Sequence, residues 1–322
     1  MNYTAERRQV DGVEVVYLAD EASAAEVWIA PSIGNNSYEM KVKGQRVFWS
    51  PYQTLAEWKA KPTFIGNPFL APWANRLDQD AFWANGKKYT LNPELKNFRR
   101  DPQQQPIHGL VAYASQWQVT SLLGGAEAAA VTSRLEFWRY PDWMAQFPFA
   151  HAYEMTYRLE KGVLHVETVI ENLSTDTMPI SVAFHPYFTL PGVERDRWSI
   201  RIPVKEQVVL NSRLTPTGET KPFSMDQPIA LAGRQFDDVF SGVDPAKEFV
   251  VEGGGKKIAV QFGERFPVGV VYAPQGRDFI CFEPMSGVTN AFNLAHDGKY
   301  PQLQTLPPAG RWRESYSIRG EY

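Results

Sequence analysis

Apolar and polar residues alternate with a period of two through most of this chain, in short runs broken by Gly, Pro, Asn and Asp. That pattern buries one face of an extended strand and leaves the other to solvent, so it commits the chain to antiparallel sheet. Strands are expected over Val13–Ala19, Glu26–Ala30, Tyr38–Val42, Gln45–Trp49, Trp117–Leu123, Val131–Phe137, Tyr153–Glu160, Val163–Glu171, Met178–Phe184 and Trp198–Ile202. Glu206–Leu210, Glu248–Val251, Lys257–Phe262, Val268–Tyr272, Asp278–Phe282 and Glu314–Arg319 complete the set. In Ala81-Phe-Trp-Ala-Asn-Gly-Lys-Lys-Tyr-Thr90, Asn85-Gly86 supplies the two positive-φ residues of a type I′ hairpin turn. Only Thr54–Ala60 and the turn around Pro141–Gln146 read as helical, each too short for the crossover that a parallel strand pair needs. So many strands exceed what one open sheet holds, so the expected architecture is all-β: two large, mainly antiparallel sheets packed face to face. No low-complexity tract or charge block marks a boundary, and residues 1–322 read as a single domain.

Composition narrows the partners. A net charge of −3 with mixed signs along the chain gives no basic stripe for nucleic acid and no polybasic membrane anchor. Cys281 is the lone cysteine, so no intramolecular disulfide is possible. The first ten residues carry charge where a signal peptide needs an apolar stretch, and no run approaches a membrane span. A cytoplasmic protein, monomeric or homodimeric, is the expectation. Ten tryptophans and fourteen tyrosines exceed the needs of a core and suit a site that binds flat apolar faces.

Three segments supply an acid/base set. In Ser181-Val-Ala-Phe-His-Pro-Tyr-Phe-Thr-Leu190, Pro186 cannot donate to a ladder, so the strand is expected to end there and His185 to project from its rim. An imidazole is the side chain best suited to give a proton near neutrality. In Asp278-Phe-Ile-Cys-Phe-Glu283, alternation sets Phe279, Cys281 and Glu283 on one face, with Ile280 and Phe282 on the other. An apolar floor there disfavours the carboxylate and lifts the group toward the range of a general base. His108, between Pro106-Ile107 and Gly109, reads as a ligand-binding group on a loop.

Arg76 ends the stiff, aromatic stretch Asn67-Pro-Phe-Leu-Ala-Pro-Trp-Ala-Asn-Arg76 and offers several donors to hydroxyls. Of Asp237 and Asp238, alternation lets only one share a face with the site. His151 and His165 lie in strand patterns and read as structural or solvated, and His296 as part of a turn. No short ligand pair supports a metal site, and nothing beside Cys281 would activate it as a nucleophile. Phosphate loops and dinucleotide fingerprints are absent, and no cofactor is expected.

In order along the chain, Ala74-Asn-Arg-Leu77, His108-Gly109, Phe184-His-Pro-Tyr-Phe188, Phe236-Asp-Asp-Val-Phe240 and Phe282-Glu-Pro-Met285 resemble the aldose 1-epimerase (galactose mutarotase) family. The resemblance implies a β-supersandwich that interconverts α and β anomers of a free sugar without a cofactor. It implies Glu283 as the base that takes the anomeric proton and His185 as the acid that protonates the ring oxygen. Arg76, Asn75, His108 and Asp237 (Asp238 in an alternative register) would bind the monosaccharide. A ring such as Trp73 or Phe240 is a candidate to cover an apolar sugar face.

His-Pro-Tyr-Phe stands where the galactose enzymes tend to have His-Ser-Tyr-Phe, and Pro72-Trp73 replaces a Gly-Arg pair, which leaves the preferred sugar open. Arg99-Arg100 is placed to meet a phosphate, which makes a hexose-6-phosphate 1-epimerase the nearest rival. From other classes, a non-catalytic carbohydrate-binding sandwich would not need both the carboxylate and the imidazole. A glycoside hydrolase would need two carboxylates flanking one bond.

Overall fold

A computed structural model describes residues 3–322. The alternating runs form sheets of five, nine and eight strands, with three smaller two-stranded ladders beside them. The five-stranded sheet is a meander in chain order from Tyr3–Val10 to Gln45–Arg46. In the nine-stranded sheet the C-terminal strand Arg311–Glu321 inserts between Val163–Asn172 and Lys256–Phe262, joining two parts of the chain. The eight-stranded sheet runs Pro216–Pro222, Glu206–Leu210, Phe236–Ser241, Val268–Ala273, Ile280–Met285, Ala183–Phe184, Phe69–Leu70, and Tyr187–Phe188 also pairs with Ile280–Met285.

One cluster of buried side chains draws on all three sheets, among them Val27 and Ile29, Tyr153 and Val166, and Phe240 and Phe282. Inner faces that share a core are what alternation with one apolar face requires. The hairpin forms as the turn chemistry demands: Ala84 pairs with Lys87, and Asn85 and Gly86 have φ of 51° and 71°.

Several elements differ from the sequence expectation. Met178–Phe184 is two strands: Met178–Ile180 pairs with Gln304–Leu306, whereas Ala183–Phe184 joins the eight-stranded sheet. The chain changes partners at Val182, whose N–H donates to the Ser286 hydroxyl. Strand Gln45–Trp49 stops at Arg46, and the segment beyond it turns to Tyr187–Phe188, with the Trp49 N–H on the Tyr187 carbonyl at 2.9 Å. Leu55–Ala60 is a helix closed by a Thr54/Glu57 capping box, and Pro141–Gln146 is also helical. A third helix, Ala291–His296, was not expected; Asn290, a residue type that favours helix starts, precedes it in the left-handed region without capping it. His296 therefore ends a helix and is not in a turn, and its ring stacks on Trp83 at 3.7 Å. Strands Tyr3–Val10, Pro216–Pro222 and Phe236–Ser241 are additions to the expected set. No helix among the described residues is long and apolar enough to cross a membrane.

A buried polar relay ties the sheets together where it matters. The Asn36 side chain donates to the Ile65 carbonyl at 2.9 Å and accepts from the Asn67 N–H at 2.8 Å. The Asn67 amide in turn donates to the Ser37 hydroxyl and accepts from the Tyr316 hydroxyl at 2.6 Å. Residues 65–67 are thus clamped between the five- and nine-stranded sheets, and the next carbonyl, Pro68, receives the His185 N–H at 3.0 Å. An unpaired buried backbone group costs about 1–3 kcal/mol, so Asn36→Ala, which orphans two, is expected to lower stability by about 3 kcal/mol in urea unfolding. A loss under about 0.5 kcal/mol would show that the relay is not structural.

Candidate active site

Glu283 sits in the interior of Ile280–Met285, with Val270 opposite it on the neighbouring strand. Alternation behaves as expected: Ile280 and Phe282 enter the main core, whereas Cys281 packs with Phe279 and Tyr187 on the other face. His185 follows the last residue of Ala183–Phe184, a strand that pairs with both Phe69–Leu70 and Met285. These two segments bring His185 Nε2 to 3.2 Å from Glu283 Oε1, with side chains only 8% and 2% exposed. His185 Nδ1 and Glu283 Oε2 have no protein partner.

Burial governs the charge of this pair. Desolvation pushes the Glu283 carboxyl well up, with Asp237 adding to the rise and Arg76 opposing it. Desolvation also pushes the His185 imidazole down to about 3, with its own backbone opposing the fall and Arg99 adding to it. Both groups are driven toward their uncharged forms, a carboxylic acid and a neutral imidazole that hold one proton between Oε1 and Nε2. The His185 ring is fixed by packing: it lies nearly parallel to Tyr187, 4.8 Å away and 9° off plane, and Tyr187 rests on Phe279.

His108 is presented by strained backbone. Asn75 and His108 both have positive φ, 53° and 64°, and the His108 N–H donates to the Asn75 carbonyl at 2.9 Å. Gly109 permits the approach that follows, since a Cβ there would stand 2.1 Å from the Ala71 carbonyl oxygen. The His108 and His185 rings lie 5.5 Å apart and Phe64 touches both. Burial lowers the His108 pKa, and His185, Arg99 and Arg76 lower it further, so this ring is neutral.

Arg76 is held by Asp101, Nε to Oδ2 at 2.8 Å, and by Asn75 Oδ1 at 3.1 Å. Burial would raise the Asp101 carboxyl, but hydrogen bonds from Arg76 and Gln105 outweigh it and hold the group below the usual carboxylate range. Asp101 is a site residue that sequence reasoning missed. Asp237 lines the cleft, and Asp238 faces away to accept from Gln207 Nε2 at 2.6 Å, which settles the choice between them. Although solvent-exposed, the Asp237 carboxyl is raised by partial desolvation, lowered by Arg76 and raised by Asp238.

Together these residues enclose a cleft of about 470 Å³ lined by Glu283, His185, His108, Arg76, Asn75 and Asp237, with Phe64, Tyr187 and Tyr272 as its rings. All six side chains singled out in the sequence converge. Trp73 and Phe240 do not reach the cleft: both are buried in the main core, 0% and 1% exposed. Phe64, Tyr187 and Tyr272 line it instead; Tyr187 lies in the Phe184–Phe188 motif, whereas Phe64 and Tyr272 carried no distinguishing signal in the sequence. Arg99 and Arg100 part company: Arg100 is tied to Asp80 by two hydrogen bonds of 2.8 and 2.7 Å, whereas Arg99 lies 4.4 Å over the Phe64 ring at the rim. His151 is structural, its Nδ1 on the Phe149 carbonyl at 2.6 Å. Burial, then Glu283, pushes the Cys281 thiol well up, as befits an unreactive floor.

Large antiparallel sheets around a cleft with a buried imidazole–carboxyl pair define a mutarotase-like β-sandwich. A galactose mutarotase-like protein from Clostridium acetobutylicum has this fold over 99% of both chains, with a TM-score of 0.87 and 21% identity. A Synechocystis sp. PCC 6803 protein matches over 98% of both chains (TM-score 0.77, 25% identity). Galactose 1-epimerase from Lactobacillus acidophilus NCFM matches over 99% of this chain and 98% of its own (TM-score 0.71, 16% identity). The aldose 1-epimerase family model matches residues 24–319, and the chain belongs to that family.

The site depends on the Gly109 backbone. Gly109→Ala, which places a methyl against the Ala71 carbonyl at positive φ, is expected to destabilise the fold by about 2 kcal/mol or more and to displace His108. Thermal unfolding checks the first effect; a variant as stable as the parent would contradict the required approach.

Proposed function

We propose that this protein is an aldose 1-epimerase that interconverts the α and β anomers of a free hexose, with Glu283 as base and His185 as acid. The observation that carries the reading is the 3.2 Å contact between a buried imidazole and a buried carboxyl in a cleft that also holds Arg76, Asn75, His108 and Asp237. At rest the shared proton lies on Glu283; its transfer to His185 with sugar bound gives the reactive form, a carboxylate beside an imidazolium. Glu283 takes the proton from the C1 hydroxyl, the C1–O1 bond becomes a carbonyl, the C1–O5 bond breaks, and His185 delivers its proton to O5. The pair is now a carboxylic acid beside a neutral imidazole, its resting arrangement, so ring opening returns the cost of forming the buried ion pair. Rotation about C1–C2 presents the other carbonyl face, and the proton transfers run backward to close the second anomer. No proton is exchanged with solvent in the cycle, and the steps require no redox partner.

Arg76 and Asn75, already fixed to one another and to Asp101, are set to hold hydroxyls, and His108 and Asp237 add a neutral and a charged acceptor. A second reading, a hexose 6-phosphate as substrate, is favoured by Arg99, a rim guanidinium that forms no ion pair with a carboxylate among the described residues.

Polarimetry from pure α-glucose, α-galactose and glucose 6-phosphate separates these. Each positioned acid or base contributes about 10²–10⁴ in rate, so Glu283→Gln and His185→Asn are each expected to lower kcat by that factor. Binding without faster anomer equilibration would instead mark a carbohydrate-binding module. The pH dependence follows from the pair: activity needs one proton on it, a second arrives only as pH falls toward the His185 value of about 3, and the last leaves above the raised Glu283 value. Accordingly kcat/KM is expected to be level from about pH 4 into the neutral range, and an acid limb centred near the ordinary imidazole value of about 6.5 would contradict it.

A further inference from the structure

The contact between Glu283 and His185 leaves half of the carboxyl uncommitted. Oε1 meets His185 Nε2 at 3.2 Å, whereas Oε2, on a side chain only 2% exposed, has no protein partner. Arg76 is similar: Nε donates to Asp101 Oδ2 and Nη1 to Asn75 Oδ1, and Nη2 has no hydrogen-bond partner among the described residues. Its charge reaches the pair, since it opposes the rise of the Glu283 carboxyl. A free carboxyl oxygen and a free guanidinium amino group therefore line the cleft in which the proposed chemistry sets C1.

Mutarotation makes a spatial demand on that cleft. It must accept C1 with its oxygen on either face of the ring, because one anomer enters and the other leaves, and Glu283 must reach the hydroxyl in both positions. An aldono-1,5-lactone has the same ring with a planar C1, and its carbonyl oxygen stands near one of those positions. The other is then open to a water molecule beside the base. Addition of that water gives a tetrahedral carbon bearing both anomeric oxygens at once, so every atom of the intermediate takes a place that one anomer or the other already requires. O5 stays at His185.

Resting on the mutarotase reading, we propose that the same pair hydrolyses aldono-1,5-lactones, with water as the second reactant. In the reactive form, carboxylate beside imidazolium, Glu283 takes a proton from water, and the water oxygen bonds to C1. The carbonyl π pair moves onto O1, where the Arg76 guanidinium offsets the new charge. As the C1=O1 bond forms again the C1–O5 bond breaks, and its electron pair takes the proton of His185. One lactone and one water give one aldonic acid with a free O5 hydroxyl, and nothing is oxidised or reduced. The pair is left as a carboxylic acid beside a neutral imidazole, its resting arrangement. Water is a weaker acid than an anomeric hydroxyl, and a carboxyl whose burial disfavours the ionised form is a stronger base than an ordinary carboxylate once ionised.

Base consumption at constant pH is measured with freshly prepared glucono- and galactono-1,5-lactone, in the mildly acidic range where uncatalysed opening is slow. Wild type, Glu283→Gln and His185→Asn are compared, each checked for folding by thermal unfolding with and without lactone, and the same samples are assayed for anomer equilibration by polarimetry. Saturable hydrolysis at least about 10²-fold faster than the uncatalysed reaction is expected, the lower bound for one positioned acid or base, with each substitution removing most of it. In ¹⁸O-labelled water, one labelled oxygen is expected in the C1 carboxylate per turnover and none at O5. Lactones that compete with the sugar in polarimetry yet open no faster than without protein, or hydrolysis that persists in both variants, would overturn the lactonase activity and leave the mutarotase reading intact. Failure to accelerate any sugar would remove the mutarotase reading and the ground of this inference with it.

Discussion

A carboxyl and an imidazole in contact, shut away from water, form the constraint around which the cleft is organised. Burial opposes a charge on either member of this 3.2 Å pair and drives both groups toward neutrality at rest. The result is a single mobile proton confined to two atoms, which is the minimum equipment for exchanging a hydroxyl proton against a ring-oxygen proton. Two charged neighbours act on Glu283: Arg76, itself held by Asp101, and Asp237, on a strand of the same sheet.

Precision at the pair comes from rigid elements. Glu283 lies within a ladder with Val268–Ala273, and His185 leaves a strand paired on both sides. His108 depends instead on loop backbone in the left-handed region, made possible by Gly109 and secured by the Asn75 carbonyl. The Asn36–Asn67–Tyr316 relay ties residues 65–67, next to the Pro68 carbonyl that receives the His185 N–H, to the other two sheets, so the hydrogen bonds that hold the core also support His185.

Much of this was legible in the residues, for identifiable reasons. Period-two alternation reports burial directly, and it oriented Glu283 away from Phe282 and selected the sheet-rich class. Pro186 marked the end of the strand that presents His185. Alternation could not give register, so the pairing of Ala183 with Met285 that brings these two segments together is visible only in the fold. Nor could it separate Asp237 from Asp238 without knowing which face of Phe236–Ser241 meets the cleft. Aromatic rings were the hardest to place: Trp73 and Phe240 share the apolar character of Phe64, Tyr187 and Tyr272, and only packing distinguishes core from wall. Asp101 escaped notice because its role is to hold Arg76, a pairing across a loop that no local pattern encodes.

The state of the shared proton is the most direct point of attack. Infrared difference spectroscopy of wild type against Glu283→Gln, together with ¹⁵N NMR of the His185 ring, reads both partners at neutral pH without substrate. A protonated carboxyl band that disappears in the variant, beside a neutral imidazole, is the predicted result. An ionised carboxylate facing an imidazolium would contradict the claim that burial sets the charge of the pair.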